Sequence, residues 1–393
     1  MSRYLQSRAR GFSLVELMIS VVIGMLALMF ATRLVTNGER NKQAALGGSD
    51  AMQNGMLAMF SISNDANQAG FGLNDPIVTG CDTLLSDSGG FTLAPASRGA
   101  ATVHPMAAAV IEPGGADPDR ITLYAGGSFG GTATLRLTAD YSGGTEIDVD
   151  RKPYGFAQGD VILVAPETLG GSCALAQISS DPTTLAGPPE KQYIMISGGS
   201  DYRFNGGSLG ASFKGGAARL FNLGPMASLG FHKWSVADGF LRLSGTSMQD
   251  AAAGAVVADN IVSIKAQYGF DTRAGAAFQP ATGLQVSQWS ASMIDADGDG
   301  VAGSAGDYQR VAALRLAVVA RSKAPERADA STGTCTATAN QPTVFSSAQP
   351  AGVAAVPVTV NVAVTGDPVD WHCYRYRVFE TIVPLRNMSW RPT

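Results

Sequence analysis

The chain has 393 residues, of which 28 are basic and 32 acidic, with 45% hydrophobic and 15% charged residues. That balance excludes a disordered polyelectrolyte, and a formal charge of −4 excludes bulk electrostatic capture of a nucleic-acid backbone. With 47 Gly and 19 Pro against 8% aromatics, the composition favours short strands joined by turns over a helix bundle.

In chain order, residues 1–11 carry Arg3, Arg8 and Arg10 and no acid, and the largely apolar run from Phe12 to Thr32 is interrupted by one charge, Glu16. As a helix this run is about 31 Å long, the thickness of a bilayer hydrocarbon core, and the basic flank predicts that its start stays in the cytoplasm. An ordinary secretory signal has its small-residue cleavage site after the apolar run. Here Gly11 precedes the run, and Glu16 sits at the membrane edge at a cost on the order of 1–3 kcal/mol, which marks it as functional. No Pro occurs between Arg33 and Ala69, so the helix is expected to extend to about residue 70, with Gly47-Gly48 as a place to bend and Gly70 as the C-cap. Met52, Met56, Met59, Phe60 and Ser63 fall at roughly helical spacing and are expected to pack this helix on a sheet.

Residues 11–17, GFSLVEL, resemble the type IV prepilin leader. The resemblance implies cleavage by prepilin peptidase after Gly11, N-methylation of the new Phe12 amine, and an assembly role for Glu16. A buried carboxylate needs a cationic partner, and the Phe12 ammonium of a neighbouring subunit supplies one. Loss of the three arginines takes the formal charge from −4 to −7.

Beyond Phe71 the text changes to short β-rich runs. Strands are expected at Arg120–Tyr124, Thr134–Thr138, Val161–Val164, Tyr193–Ile196, Arg219–Phe221, Phe240–Leu243, Ile261–Phe270, Arg310–Ala320 and Tyr374–Val383. Gly126–Gly131 and Gly198–Gly216 read as surface loops, and Ala324–Asp370 reads as an irregular excursion with one strand at Val356–Val364. The fold expected is α+β and type IV pilin-like: leader 1–11, pilin helix 12–70 with its membrane span at 12–32, and a β-rich periplasmic domain 71–393.

Asp65–Phe71, the acidic loop before Arg310–Arg321 and the ending Tyr374–Trp390 resemble the PilW family of minor pilins, with Val383-Pro384-Leu385-Arg386-Asn387 the most distinctive piece. The resemblance implies an inner-membrane protein that joins a pilus and helps to initiate assembly or form its tip, with twitching motility and cell adhesion as the processes served. Other minor pilins, the major pilin and a large tip-associated adhesin are the implied partners. The J-type minor pseudopilin of type II secretion is a same-class alternative, and an adhesin binding a surface ligand through its glycine-rich loops is an alternative of a different class.

Cys81, Cys173, Cys335 and Cys373 lie on the side predicted to be extracytoplasmic and show no CxxC spacing, so disulfides are expected in place of a zinc or redox site. Of three possible pairings, the sequential one closes loops of about 90 and about 40 residues, contributing roughly 4–5 and about 4 kcal/mol on the chain-entropy model. It also ties the 324–370 excursion to the last strand.

Asp295, Asp297 and Asp299 alternate ahead of Gly300 and Val301, as in the first half of an oxygen-ligand calcium loop. Gly306 stands where an EF-hand has its bidentate Glu, so this is no EF-hand. The expected Ca2+ ligands are Asp295, Asp297, Asp299, the Val301 carbonyl and Asp307, against the alternative of a solvated acidic turn. Catalysis is not expected. Ser208 and Ser128 sit in GxSxG matches that a Gly- and Ser-rich chain produces by chance, without a following helix. His104, His232 and His372 lack partner spacing. Arg375, Arg377 and Arg386 are spread through an apparent strand and are expected in ion pairs, with no nucleic-acid role.

Overall fold

The computed structural model describes residues 13–127, 134–184, 191–248, 254–329 and 331–389, leaving aside the side chains of residues 37 and 39–47. The long helix runs Leu14–Gln68, with Gly47-Gly48 inside it. Chain contacts divide the molecule into Met1–Asp50 and Ala51–Thr393. In the first unit, Leu14–Thr36 has none of its residues buried and is long and apolar enough to cross a membrane.

The second unit holds the last turns of the helix and three larger sheets. Glycine and proline break the chain into short strands, and alternation along each strand decides which core it feeds. A six-stranded sheet is ordered Pro105–Met106, Cys81–Leu84, Ser172–Gln177, Asp160–Pro166, Ala218–Pro225 and Thr134–Arg136. Both of its faces are covered: Val161, Leu163 and Ala165 point into one apolar cluster, Ile162 and Val164 into another. A five-stranded antiparallel sheet is ordered Ala255–Asp259, Phe240–Gly245, Gly230–Ala237, Arg120–Ala125 and Ala109–Glu112. The third is antiparallel and four-stranded: Gln288–Ser290, Ile261–Phe270, Val311–Arg321 and Tyr376–Pro384.

The main core lies where the five- and four-stranded sheets meet the helix. Ile121, Leu123 and Trp234 come from one sheet, Ile264, Tyr268, Leu314 and Val318 from the other, and Ala58, Ile62 and Ala66 from the helix. The two sheets are tied by Lys265, whose ammonium donates to the Gly115 and Asp117 carbonyls at 3.1 and 2.9 Å and to the Asp119 carboxylate. Asp119 also accepts from the Gly114 and Ala266 amides, so this buried ion pair has the hydrogen bonds that burial demands.

The 324–370 excursion is irregular, as expected, but the strand expected at Val356–Val364 is reduced to Val358–Thr359 paired with Thr343–Val344. It covers the outer face of the four-stranded sheet, where Val344, Phe345, Val360 and Val362 pack on Val262, Ala317 and Val319. This cover is why Ile261–Phe270 is buried along its whole length, as in sheets shielded on both faces. Glu380 holds the cover down, accepting from the Phe345 amide at 2.7 Å and from Arg315 at 3.1 Å.

Both disulfides follow the sequential pairing. Cys81–Cys173 joins two neighbouring parallel strands with Cα atoms 5.9 Å apart, and Cys335–Cys373 ties the excursion to the segment before the last strand at 4.8 Å.

Candidate functional site

From Leu14 on, the described part of the amino-terminal unit is a helix whose apolar stretch has nothing of its own to bury against. Leu14, Val15, Leu17, Met18 and the following apolar residues are exposed through Val35. Such a surface demands lipid or other helices as its surroundings. Glu16 lies in the first turn and is exposed. Gly11 and Phe12, the expected cleavage and methylation positions, lie outside the described residues.

Within the second unit the helix meets the head through small residues. Ala51, Ala58, Ala66 and Ala69 are buried with Ile62, and Gly55 faces the Phe379 ring so closely that a Cβ there would lie 2.0 Å from a ring carbon. The expectation that Met52, Met56 and Phe60 pack on the sheet is therefore overturned: they are 43%, 53% and 70% exposed, and only Met59 of that set leans on the core. Alanine and glycine let the helix axis approach the sheet, which turns the bulky side chains outward.

The end of the helix is fastened by residues far away in sequence. Asp65 accepts at 2.8 Å from the Trp234 indole and lies 2.8 Å from Nδ1 of His232. Gly70 takes φ +81°, the left-handed conformation of a helix C-cap, and its amide donates to the Tyr124 carbonyl. The Asn387 amide nitrogen then donates to the Gln68 and Ala69 carbonyls, both at 3.1 Å, and to Asn67 at 3.4 Å, satisfying acceptors that a helix end leaves open. Met388 packs against Gly70.

Residues 236–387 match the family model of the type IV pilus-assembly protein W. Residues 6–32 match the prokaryotic N-terminal methylation motif. The two matches mark a type IV pilus-associated protein with a prepilin leader, and both families are structural components of pili. No curated protein and no solved structure matches the chain. The PilW match begins in the Gly230–Ala237 strand and ends on Asn387, so it takes in the four-stranded sheet, its cover and the residue that closes the helix end. The six-stranded sheet lies outside it.

Within the PilW-matching region, the acidic loop brings carboxylate oxygens of Asp295, Asp297 and Asp299 within 4.8 Å of one another, all three exposed. Each also organises the turn: Asp295 accepts from the Gly298 and Gly300 amides, Asp297 from Asp299, and Asp299 from Val301. Asp307, expected as a fourth carboxylate ligand, is placed differently. It is fully buried and accepts four backbone amides, Ala296 and Asp297 on one oxygen and Gly303 and Ser304 on the other. Burial pushes its carboxyl above the usual range, against the pull of those amide donors. Asp307 is thus the brace of the loop, in a capping box with Ser304 at the start of the short Ala305–Tyr308 helix. The Val301 carbonyl closes a turn by accepting from the Ser304 amide at 3.2 Å.

The remaining sequence candidates have structural surroundings. Gly198–Gly216 is no plain surface loop, because Phe204, Leu209 and Phe213 within it are buried in the clusters on the six-stranded sheet. Ser208 is exposed and followed by bends, and Ser128 lies outside the described residues. His372 stacks on Trp371 with centroids 3.6 Å apart, and the His104 amide donates to Asp82. Arg375 pairs with Glu326. Sequence reading missed the Asp119–Lys265 tie and the Asn387 cap. Asn387 at least stood in the most distinctive run of the carboxy terminus.

Proposed function

We propose that this chain is a minor pilin that helps to initiate a type IV pilus or forms its tip complex. The observation that carries the reading is the wholly exposed apolar stretch Leu14–Thr36 within a prepilin motif match, in a chain with a β-rich head of about 320 residues. Prepilin peptidase cleaves after Gly11 and Phe12 is methylated. The basic leader holds the amino terminus in the cytoplasm, and the head stands in the periplasm. On extraction from the inner membrane, the apolar helix exchanges lipid for other pilin helices, and Glu16 pairs with a neighbouring Phe12 ammonium. A head this large suits a low-copy position with other minor pilins, the major pilin and a tip adhesin, better than repetition along a thin shaft. The acidic loop is assigned as a calcium seat through Asp295, Asp297 and Asp299.

A clean deletion complemented with wild type or Glu16→Ala tests the assembly role. Surface filaments vanish in the deletion, and only wild type restores them. If filaments persist while secreted proteins accumulate in the periplasm, the chain is a secretion pseudopilin. If neither changes, the assembly reading fails.

A further inference from the structure

The outer face of the four-stranded sheet carries polar side chains beneath its cover. Gln267 and Arg315 stand opposite each other on neighbouring antiparallel strands and are 0% and 2% exposed. Each is drawn to a different group above it. Arg315 Nη2 donates to Ser347 Oγ of the cover at 2.9 Å and to Glu380 Oε2 of the last strand at 3.1 Å. The Phe345 ring holds the guanidinium in place, with its centroid 5.0 Å away. Gln267 Nε2 donates to the Val356 carbonyl at 2.7 Å. That bond fixes which way the amide points, because a flipped amide would set two acceptors against each other. Two buried atoms are then left without a hydrogen-bond partner among the described residues: the donor Nη1 of Arg315 and the acceptor Oε1 of Gln267. Directly opposed residues have Cβ atoms about 4.5–5.5 Å apart, so both side chains end in the same region under the cover.

We infer that one ordered water molecule is bound between them, accepting from Arg315 Nη1 and donating to Gln267 Oε1. The polarity of the pair names the occupant. A chloride or a carboxylate accepts from the guanidinium but is repelled by the amide oxygen. A cation satisfies that oxygen but is repelled by the guanidinium. Water does both at once, and an internal water takes about two to four such partners. Leaving a guanidinium donor and an amide acceptor buried and unpaired is costly, which favours filling the site over keeping it dry. The two cover groups involved, Ser347 and Val356, bracket residues 348–355. Within that loop the Gln349 carbonyl accepts from the Trp289 indole at 2.5 Å, and Val353 packs with Trp289 and Ala313. The water therefore closes the base of this loop by joining the two side chains that hold its ends. The assignment is independent of the pilin reading.

A high-resolution crystal structure of the full chain in detergent tests it. The expected result is one solvent peak within about 2.7–3.2 Å of both Nη1 and Oε1. A direct bond between the two side chains, a peak held by one of them alone, or a dry contact overturns the inference. Gln267→Met keeps the bulk of the side chain and removes the acceptor. Magnetic relaxation dispersion of the solvent should then count one long-lived water fewer than in wild type, and amide exchange across 348–355 should rise roughly tenfold. If exchange rises while the long-lived water is retained, the glutamine acts through Val356 alone and the bridge is refuted.

Discussion

Gly55→Ala sets two opposed effects against each other on one side chain. In a helix interior, alanine is favoured over glycine by about 0.8–1 kcal/mol. Here, however, the new Cβ would stand 2.0, 2.6 and 2.8 Å from three carbons of the Phe379 ring, where ordinary contact begins near 3.5 Å. The ring must retreat by roughly 1.5 Å, and it leans on the main core, so overpacking of this kind costs about 2–3 kcal/mol, the upper part of its usual range. The net expectation is a loss of about 1–2 kcal/mol, a fall of roughly 1–3 °C in melting temperature for a head of this size. Guanidinium unfolding of the full chain in detergent, followed by fluorescence of the buried Trp234 and Trp289, measures it. Phe379→Leu should relieve the variant in a double-mutant cycle, because Cε2 and Cζ, two of the three clashing ring atoms, are then gone. If Gly55→Ala is stabilising by its full helical propensity, the ring swings away freely and the small-residue seam is not what brings helix and sheet together.

Three further outcomes follow from the geometry. Asn387→Ala removes the donor to the helix-end carbonyls and should cost about 1 kcal/mol in the same unfolding assay; Asn387→Asp should cost more at neutral pH, because a carboxylate cannot donate there and meets the negative end of the helix dipole. Replacing Cys335 and Cys373 together by Ser should cost roughly 2–4 kcal/mol and raise amide exchange across 337–364, while the strands around Cys81–Cys173 keep their protection. Calcium should raise the melting temperature of wild type and not of Asp297→Asn, whereas Asp307→Asn should destabilise the loop with or without calcium, since an amide cannot accept the four backbone donors that Asp307 satisfies.

The strands best seen in the sequence are those with the strongest β-branched runs. Ile261–Phe270 was expected to the residue, and Val311–Arg321 within one. The strands missed have compositions that carry no such signal. Ser172–Gln177 reads SCALAQ and Gly230–Ala237 reads GFHKWSVA, and both are held by their sheet neighbours more than by intrinsic preference. In the acidic loop the three exposed aspartates were legible from alternation alone. The role of Asp307 was not, because a brace and a ligand are the same residue until its oxygens are seen to be filled by amides.

The helix shows the same division most plainly. Its existence, its apolar amino-terminal half and its leader are local properties: a run of apolar residues without proline, a basic flank, and a motif of seven consecutive residues. Which face turned inward was not local. Periodicity marked Met52, Met56 and Phe60 as one stripe, and burial of large apolar side chains is the usual use of such a stripe. The tertiary structure put the small side chains inside instead, because the Phe379 ring already fills the space between helix and sheet, and only glycine and alanine let the two backbones approach that closely.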